Sequence, residues 1–173
     1  MKRWQAILPL AALGALGVLF AGFGLHHDPH FSPDALVGQP TPDLTLPPLA
    51  GGPPVRLRGE ARPATLINFF ASWCAPCAQE HPALMALNAQ GVRIVGIAYK
   101  DAPDQTRALL ARLGDPYATA LVDRDGAAGL DFGISGVPET FLIGADGKIL
   151  AKQTGPLTLQ SAEALLERAP RGG

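Results

Sequence analysis

Cysteine is scarce in this sequence: Cys74 and Cys77 are the only two among 173 residues. That scarcity excludes a multi-disulfide scaffold and a tetrahedral zinc site built from cysteine alone. Charge is sparse as well. Charged residues make up 17% of the chain, and the formal net charge is −1 at pH 7. No basic stripe is present to neutralise phosphates, so nucleic acid is not an expected partner. The 20 glycines and 17 prolines stay below the share of a low-complexity chain and read as turn formers. Hydrophobic residues reach 47%, enough for a globular core, which excludes whole-chain disorder. No internal repeat is visible.

Acidic residues are absent from residues 1–25. Lys2 and Arg3 precede an uncharged apolar run, Trp4–Leu25, in which Gln5 is the only strongly polar side chain. As a helix this run would rise roughly 33 Å, enough to cross a hydrocarbon core. It is longer than the apolar stretch of a cleaved signal peptide and lacks a clear small-residue cleavage motif before His26, so an uncleaved anchor is expected. Pro9 is compatible with a membrane helix. Lys2 and Arg3 should stay cytoplasmic, which places the C-terminal domain outside. The expected organisation is an anchor over 1–25 in contact with lipid through 4–25, a linker over 26–37, and a folded domain over 38–173. His26, His27 and His30 read as part of the solvated linker, with Pro29 and Pro33, rather than as a metal tract.

Short strands are expected at Asp43–Leu46 and Val55–Leu57, either side of the turn Gly51-Gly52-Pro53-Pro54. Ala64–Ala71 and Val92–Ala98 are short and nearly all apolar, as strands covered on both faces should be. A helix is expected from the cysteines to about Ala89. Another begins at Pro103 and ends at Gly114. A strand at Ala118–Val122 and a short helix at Ala127–Phe132 follow. Thr140–Ile143 and Lys148–Lys152 flank the turn Ala145-Asp146-Gly147, a hairpin signal. Thr158 caps a last helix. This order implies an α/β fold with a parallel core, helices on both faces and antiparallel edge strands from the hairpin.

Trp73-Cys74-Ala75-Pro76-Cys77 follows the Ala64–Ala71 strand directly and opens a helix. C-x-x-C at a strand-to-helix junction signals thiol–disulfide chemistry. Free backbone N–H groups and the helix dipole favour an anion at the first cysteine and so make thiolate available. The second cysteine, one turn in, is close enough to close a disulfide. A purely structural disulfide would add little, because so short a loop removes little chain entropy. Zinc would need two further ligands; His81 offers one. Covalent haem attachment needs C-x-x-C-H, and residue 78 is Ala.

The sequence resembles a thioredoxin-fold protein. Pro82 stands where thioredoxins kink the active-site helix, and Val137-Pro138 resembles the family's cis-proline turn, with Gly136 before it and Thr140–Ile143 as the next strand. WCAPCAQEHP, IAYKD, GDPY and GLDFGISGVPETFLI, together with the expected anchor, resemble the periplasmic thiol:disulfide interchange proteins of cytochrome c maturation, the CcmG/DsbE type. The resemblance implies a thioredoxin-like domain behind one inner-membrane helix, facing the periplasm. It implies a protein-disulfide reductase with no cofactor or metal beyond Cys74–Cys77. Its client would be apocytochrome c or a maturation carrier, and its electron donor a membrane thiol reductase. Trp73, Val137 and Pro138 would form the docking surface, with Asn68, Pro76 and Pro82 structural beside the site.

Two positions depart from thioredoxin. Asn68 stands where thioredoxins carry a buried Asp, and Asn cannot act as a base at neutral pH. Glu139 follows the cis-proline position in place of the usual Thr. The resemblance assigns Glu80 and Glu139 to an acidic active site, in which either would relay the proton of Cys77 and a nearby carboxylate would raise the Cys74 pKa. Glu80 has an equally weighted reading as a charged residue in the first turns of the helix that stabilises its N-terminus. A related reductant with another client, or a copper-binding assembly chaperone using the cysteines and a histidine, are the competing functions. A disulfide-forming oxidant is disfavoured by Glu80 and Glu139.

Overall fold

The computed structural model describes residues 9, 12–19, 22, 36–60 and 65–169. The chain divides into two units, Met1–Pro33 and Asp34–Gly173. In the first, residues 12–19 are helical with exposed side chains. The rest of the expected Trp4–Leu25 span lies largely outside the described residues, as do His26, His27 and His30. Among the described residues no helix is long and apolar enough to cross a membrane.

The second unit is an α/β fold. Its strands are β1 (Thr45–Leu46), β2 (Val55–Arg56), β3 (Thr65–Phe70), β4 (Ile94–Tyr99), β5 (Thr119–Asp123), β6 (Glu139–Ile143) and β7 (Ile149–Thr154). Its helices are α1 (Ala75–Ala89), α2 (Pro103–Leu113), α3 (Ala127–Asp131) and α4 (Leu159–Leu166). A five-stranded sheet runs in the order β5-β4-β3-β6-β7, and β1 and β2 form a separate antiparallel pair. β3, β4 and β5 are parallel; β6 is antiparallel to β3, and β7 to β6. β3 is buried at every position, which explains why its sequence is apolar apart from Thr65 and Asn68.

The hairpin forms as its turn residues predict. Asp146 Oδ1 accepts from the Lys148 amide at 3.1 Å, and Gly147 takes φ 76°, a conformation glycine adopts without steric cost. Its place in the sheet differs from the expectation. Of the two hairpin strands β7 lies at an edge, while β6 sits inside, paired with β3.

The division of helices between the two faces also follows from strand order. β3 to β4 and β4 to β5 step in the same direction, so two right-handed crossovers put α1 and α2 on one face. One core layer there joins Leu66 and Phe70 of β3 to Leu84 and Leu87 of α1, Leu109 and Leu110 of α2, and Ala162 and Leu165 of α4. The opposite layer joins Ile67, Phe69, Val95, Ile97 and Phe141 to Leu46, Leu57, Ala128 and Phe132. That second face is covered by the short α3 and by β1 and the Leu57 turn, not by long helices. Phe69, Phe132 and Phe141 pack tilted or edge-on at centroid distances of 5.0–5.9 Å, the arrangement ring quadrupoles favour.

Candidate active site

The cysteines stand at the head of α1, beyond the C-terminal end of β3. Cys74 is the N-cap, and its Sγ accepts the Cys77 amide at 3.1 Å. Pro76 occupies the first turn, where a missing N–H costs nothing. Pro82 lies inside the helix on its exposed side. Cys74 and Cys77 are joined in a disulfide. Cys74 is only 6% exposed and Cys77 4%. Cys74 thus lies just under the surface rather than standing free in solvent.

Two groups flank Cys74. Trp73 is 60% exposed, and its Nε1 donates to Lys100 O at 3.3 Å. Opposite it, Val137 O lies 3.5 Å from Cys74 Sγ, next to Pro138, whose peptide bond is cis as the resemblance implies. Behind Trp73, Asp101 holds the loop. Its carboxylate accepts from Ser72 N and Ser72 Oγ at 2.7 Å, and from Ala102 N and Thr106 Oγ1 at 2.8 Å. Lys100, just before it, has φ 46°, a strained value for a residue with a side chain. The IAYKD stretch is therefore the clamp that sets Trp73 beside Cys74. Composition and periodicity gave no signal for that role.

Glu80 is 1% exposed, a buried carboxyl in the first turns of α1. The buried face of α1 runs through Cys77, Glu80, His81, Leu84 and Leu87, the spacing of a core-facing helix. Glu80 lies three residues beyond Cys77 on that face. Its Oε1 accepts from Asn68 Nδ2 at 2.9 Å and its Oε2 from Leu157 N at 2.8 Å. Asn68 also donates to Thr140 Oγ1 at 3.0 Å and accepts from the Tyr117 hydroxyl at 2.9 Å. Burial pushes the Glu80 carboxyl up to about 7, outweighing the two hydrogen bonds, which lower it.

That shift sets a sign for stability. The unfolded carboxyl titrates near ~4.3. Between there and about 7 the native state holds a proton the unfolded chain has lost, so stability falls as pH rises through this window. The expected loss is on the order of 3 kcal/mol. Urea midpoints of wild type and Glu80→Gln, compared at acidic and mildly alkaline pH, should diverge by that amount; a pH-independent difference would contradict the burial argument.

Glu139 goes elsewhere. It pairs with Phe69 across β3 and β6, whereas Thr140 pairs with Asn68, so adjacent residues of β6 face opposite sides of the sheet. Glu139 is fully buried, ion-paired with Lys152 Nζ at 2.7 Å, and accepts from Ser135 N and Oγ at 2.9 and 2.6 Å. It ties down the segment leading to Pro138. The structure thus brings Cys74, Cys77, Trp73, Val137 and Pro138 together around the disulfide, with Asn68 and Glu80 beneath them. It sets Glu139 on the other face of the sheet.

His81 Nε2 lies 3.1 Å from Gly114 O, a contact that fixes the orientation of the ring. Among the described residues no group of three or more His, Cys, Asp or Glu side chains is placed to hold a metal ion.

Comparison with known proteins settles what kind of redox site this is. The Redoxin family model matches residues 36–166. The chain is 42% identical over 164 residues to thiol:disulfide interchange protein HelX of Rhodobacter capsulatus, covering 91% of this chain and 90% of the relative. The chain belongs to the thiol:disulfide interchange proteins. A second relative, DsbE of Allochromatium vinosum, is 40% identical over 90% of this chain and 87% of its own length. The crystal structure of a thiol:disulfide interchange protein DsbE from Chlorobium tepidum superimposes with a TM-score of 0.63 at 28% identity, over 75% of this chain and 92% of that one. The fold is thioredoxin-like, and this interchange protein is a thiol–disulfide oxidoreductase whose redox centre is Cys74–Cys77.

Proposed function

We propose that the chain is a membrane-anchored reductant of the periplasm that keeps the cysteines of apocytochrome c, or of a carrier that has captured it, reduced for cytochrome c biogenesis. The cytochrome pathway rests on the motifs quoted from the sequence and on the similarity to HelX and DsbE. The anchor and the compartment rest on Trp4–Leu25 and the preceding Lys2 and Arg3.

The observation that carries the choice of reductant over oxidant is the buried Glu80 one helical turn from Cys77. A carboxylate there disfavours a neighbouring thiolate. A dithiol whose thiolate is less stabilised is a weaker oxidant and a better donor of electrons.

The exchange runs in two displacements. Cys74 thiolate attacks one sulfur of the client disulfide; the client's other sulfur leaves as thiolate and takes up a proton. Cys77 then loses its proton, attacks Cys74, and expels the second client sulfur. Two electrons pass to the client, and the protein ends as the Cys74–Cys77 disulfide. Glu80 accepts the Cys77 proton; its face of the helix and its value near 7 suit a base at neutral pH. Glu139 serves instead by holding the Pro138 turn. Trp73, Val137 and Pro138 receive an extended client segment through backbone contacts. A membrane thiol reductase restores the dithiol, and anchoring raises its effective concentration.

The test is capture in cells with Cys77→Ala. Mixed disulfides between Cys74 and proteins bearing Cys-X-X-Cys-His, or their carriers, are expected. Capture of clients unrelated to haem attachment would remove the pathway and leave the exchange chemistry standing.

A further inference from the structure

Asn68 is fully buried between two groups that it treats differently. Its amide offers one acceptor oxygen and two N–H donors. Both donors are spent, on Glu80 and Thr140, and the oxygen takes the Tyr117 hydroxyl. Thr140 and Tyr117 carry hydroxyls, which can donate or accept. An ionised Glu80 can only accept. The amide therefore serves the charged form of Glu80 only while its nitrogen points that way, and the group that holds its oxygen in the opposite direction is Tyr117.

Tyr117 is built to hold that position. Its ring stacks on Phe70 at a centroid distance of 4.7 Å. It also lies over Gly96 of β4, where an added Cβ would come within 2.8 Å of the ring. Its backbone amide donates to Asp115 Oδ1 at 2.9 Å. Burial, with Glu80 and Asp115 nearby, drives the phenol well above its ordinary range, so the hydroxyl keeps its proton and remains a donor at every pH the protein meets.

We propose that Tyr117 is a positioning residue of the redox site: its hydroxyl locks the Asn68 amide in the orientation that favours ionised Glu80, and so sets the pH at which Glu80 can take the proton of Cys77. The functional half of this proposal rests on Glu80 as the proton acceptor; the electrostatic half does not. The titratable groups around Glu80 are Cys77 and His81 on α1, with His81 turned to Gly114 O, and Tyr117 with Asp115 from the segment before β5. β3, β6 and the turn before α4 present the uncharged Asn68, Thr140 and Leu157 N–H.

Removing the hydroxyl leaves the Asn68 oxygen without a donor in a dry pocket. Without that donor the amide is less polarised and less firmly held, so its N–H supports ionised Glu80 more weakly. In Tyr117→Phe the Glu80 carboxyl, followed by carbon NMR in the full chain and assigned by its loss in Glu80→Gln, should titrate about one pH unit higher. The pH profile of the Cys77 resolving step should move the same way. If Tyr117→Phe fails to fold, 3-fluorotyrosine incorporated in a Tyr99→Phe background provides a stronger donor at the same place and should lower the Glu80 titration instead. An unchanged Glu80 titration in the folded variant overturns the proposal. A shifted titration with a resolving-step profile that Glu80→Gln leaves untouched upholds the lock and removes the proton-acceptor reading.

Discussion

Cys77→Ala should abolish turnover while leaving the first chemical step intact. In a coupled assay with an oxidised peptide client, the variant should form one mixed disulfide per chain and then stop. Cys74 keeps its place as N-cap, and its sulfur stays between Trp73 and Val137. What disappears is the chain's only other thiol; the two α-carbons are 5.3 Å apart. A well-placed intramolecular group acts at effective molarities of roughly 10⁵ M or more. Millimolar external thiol cannot match that, so the resolving rate should fall by about 10³-fold or more. Stopped-flow mixing followed by mass spectrometry of the quenched protein distinguishes trapping from simple inactivity. A variant that turns over at the wild-type rate would mean that Cys77 does not resolve the intermediate.

Lys152→Ala should be the most destabilising single change outside the core, at about 3–5 kcal/mol. Its ammonium and the Glu139 carboxylate are 5% and 0% exposed and 2.7 Å apart. Deleting the cation leaves a buried carboxylate held only at Oε1, by the Ser135 amide and hydroxyl among the described residues. The Lys152 ammonium also lies 5.4 Å from the Phe141 ring centroid, so its truncation uncovers apolar surface too. Urea melts give the loss directly. Lys152→Met combined with Glu139→Gln should cost less than the two single changes added together, since the charges are then removed as a pair. A loss below about 1 kcal/mol for Lys152→Ala would place the pair in the range of surface ion pairs.

Features of this fold that depend on neighbouring residues were legible in the sequence. Ala64–Ala71 reads as a doubly covered strand because it is short and nearly all apolar. Pro76 marks the first turn of α1 through its missing N–H, and Asp146-Gly147 marks the hairpin through its turn chemistry. The cysteine pair was legible for the same reason, since strand, helix start and C-x-x-C fall within one short stretch.

Features that depend on distant residues were not. Glu80 reads equally as a charge at a helix start or as a proton relay until Asn68, twelve positions earlier, and the Leu157 amide, 77 positions later, are brought to it. Glu139 looks like an active-site acid because it follows Pro138. Strand alternation turns it to the other face, and its partner Lys152 lies across a hairpin whose register slips between Leu142 and Ile143. Tyr117 and Asp101 stood within stretches that marked the family, yet their roles rest on Asn68, Ser72 and Thr106, which only the folded chain gathers.

The most direct measurement is the pH dependence of alkylation of the fully reduced protein, with the modified position read by mass spectrometry. Modification should fall first and overwhelmingly on Cys74, with Cys77 protected beneath it, and its rate should climb with the thiolate fraction on passing from mildly acidic to mildly alkaline solution. A Cys74 that stays unreactive throughout that range, or a Cys77 that is modified ahead of it, would contradict the assignment of the attacking sulfur.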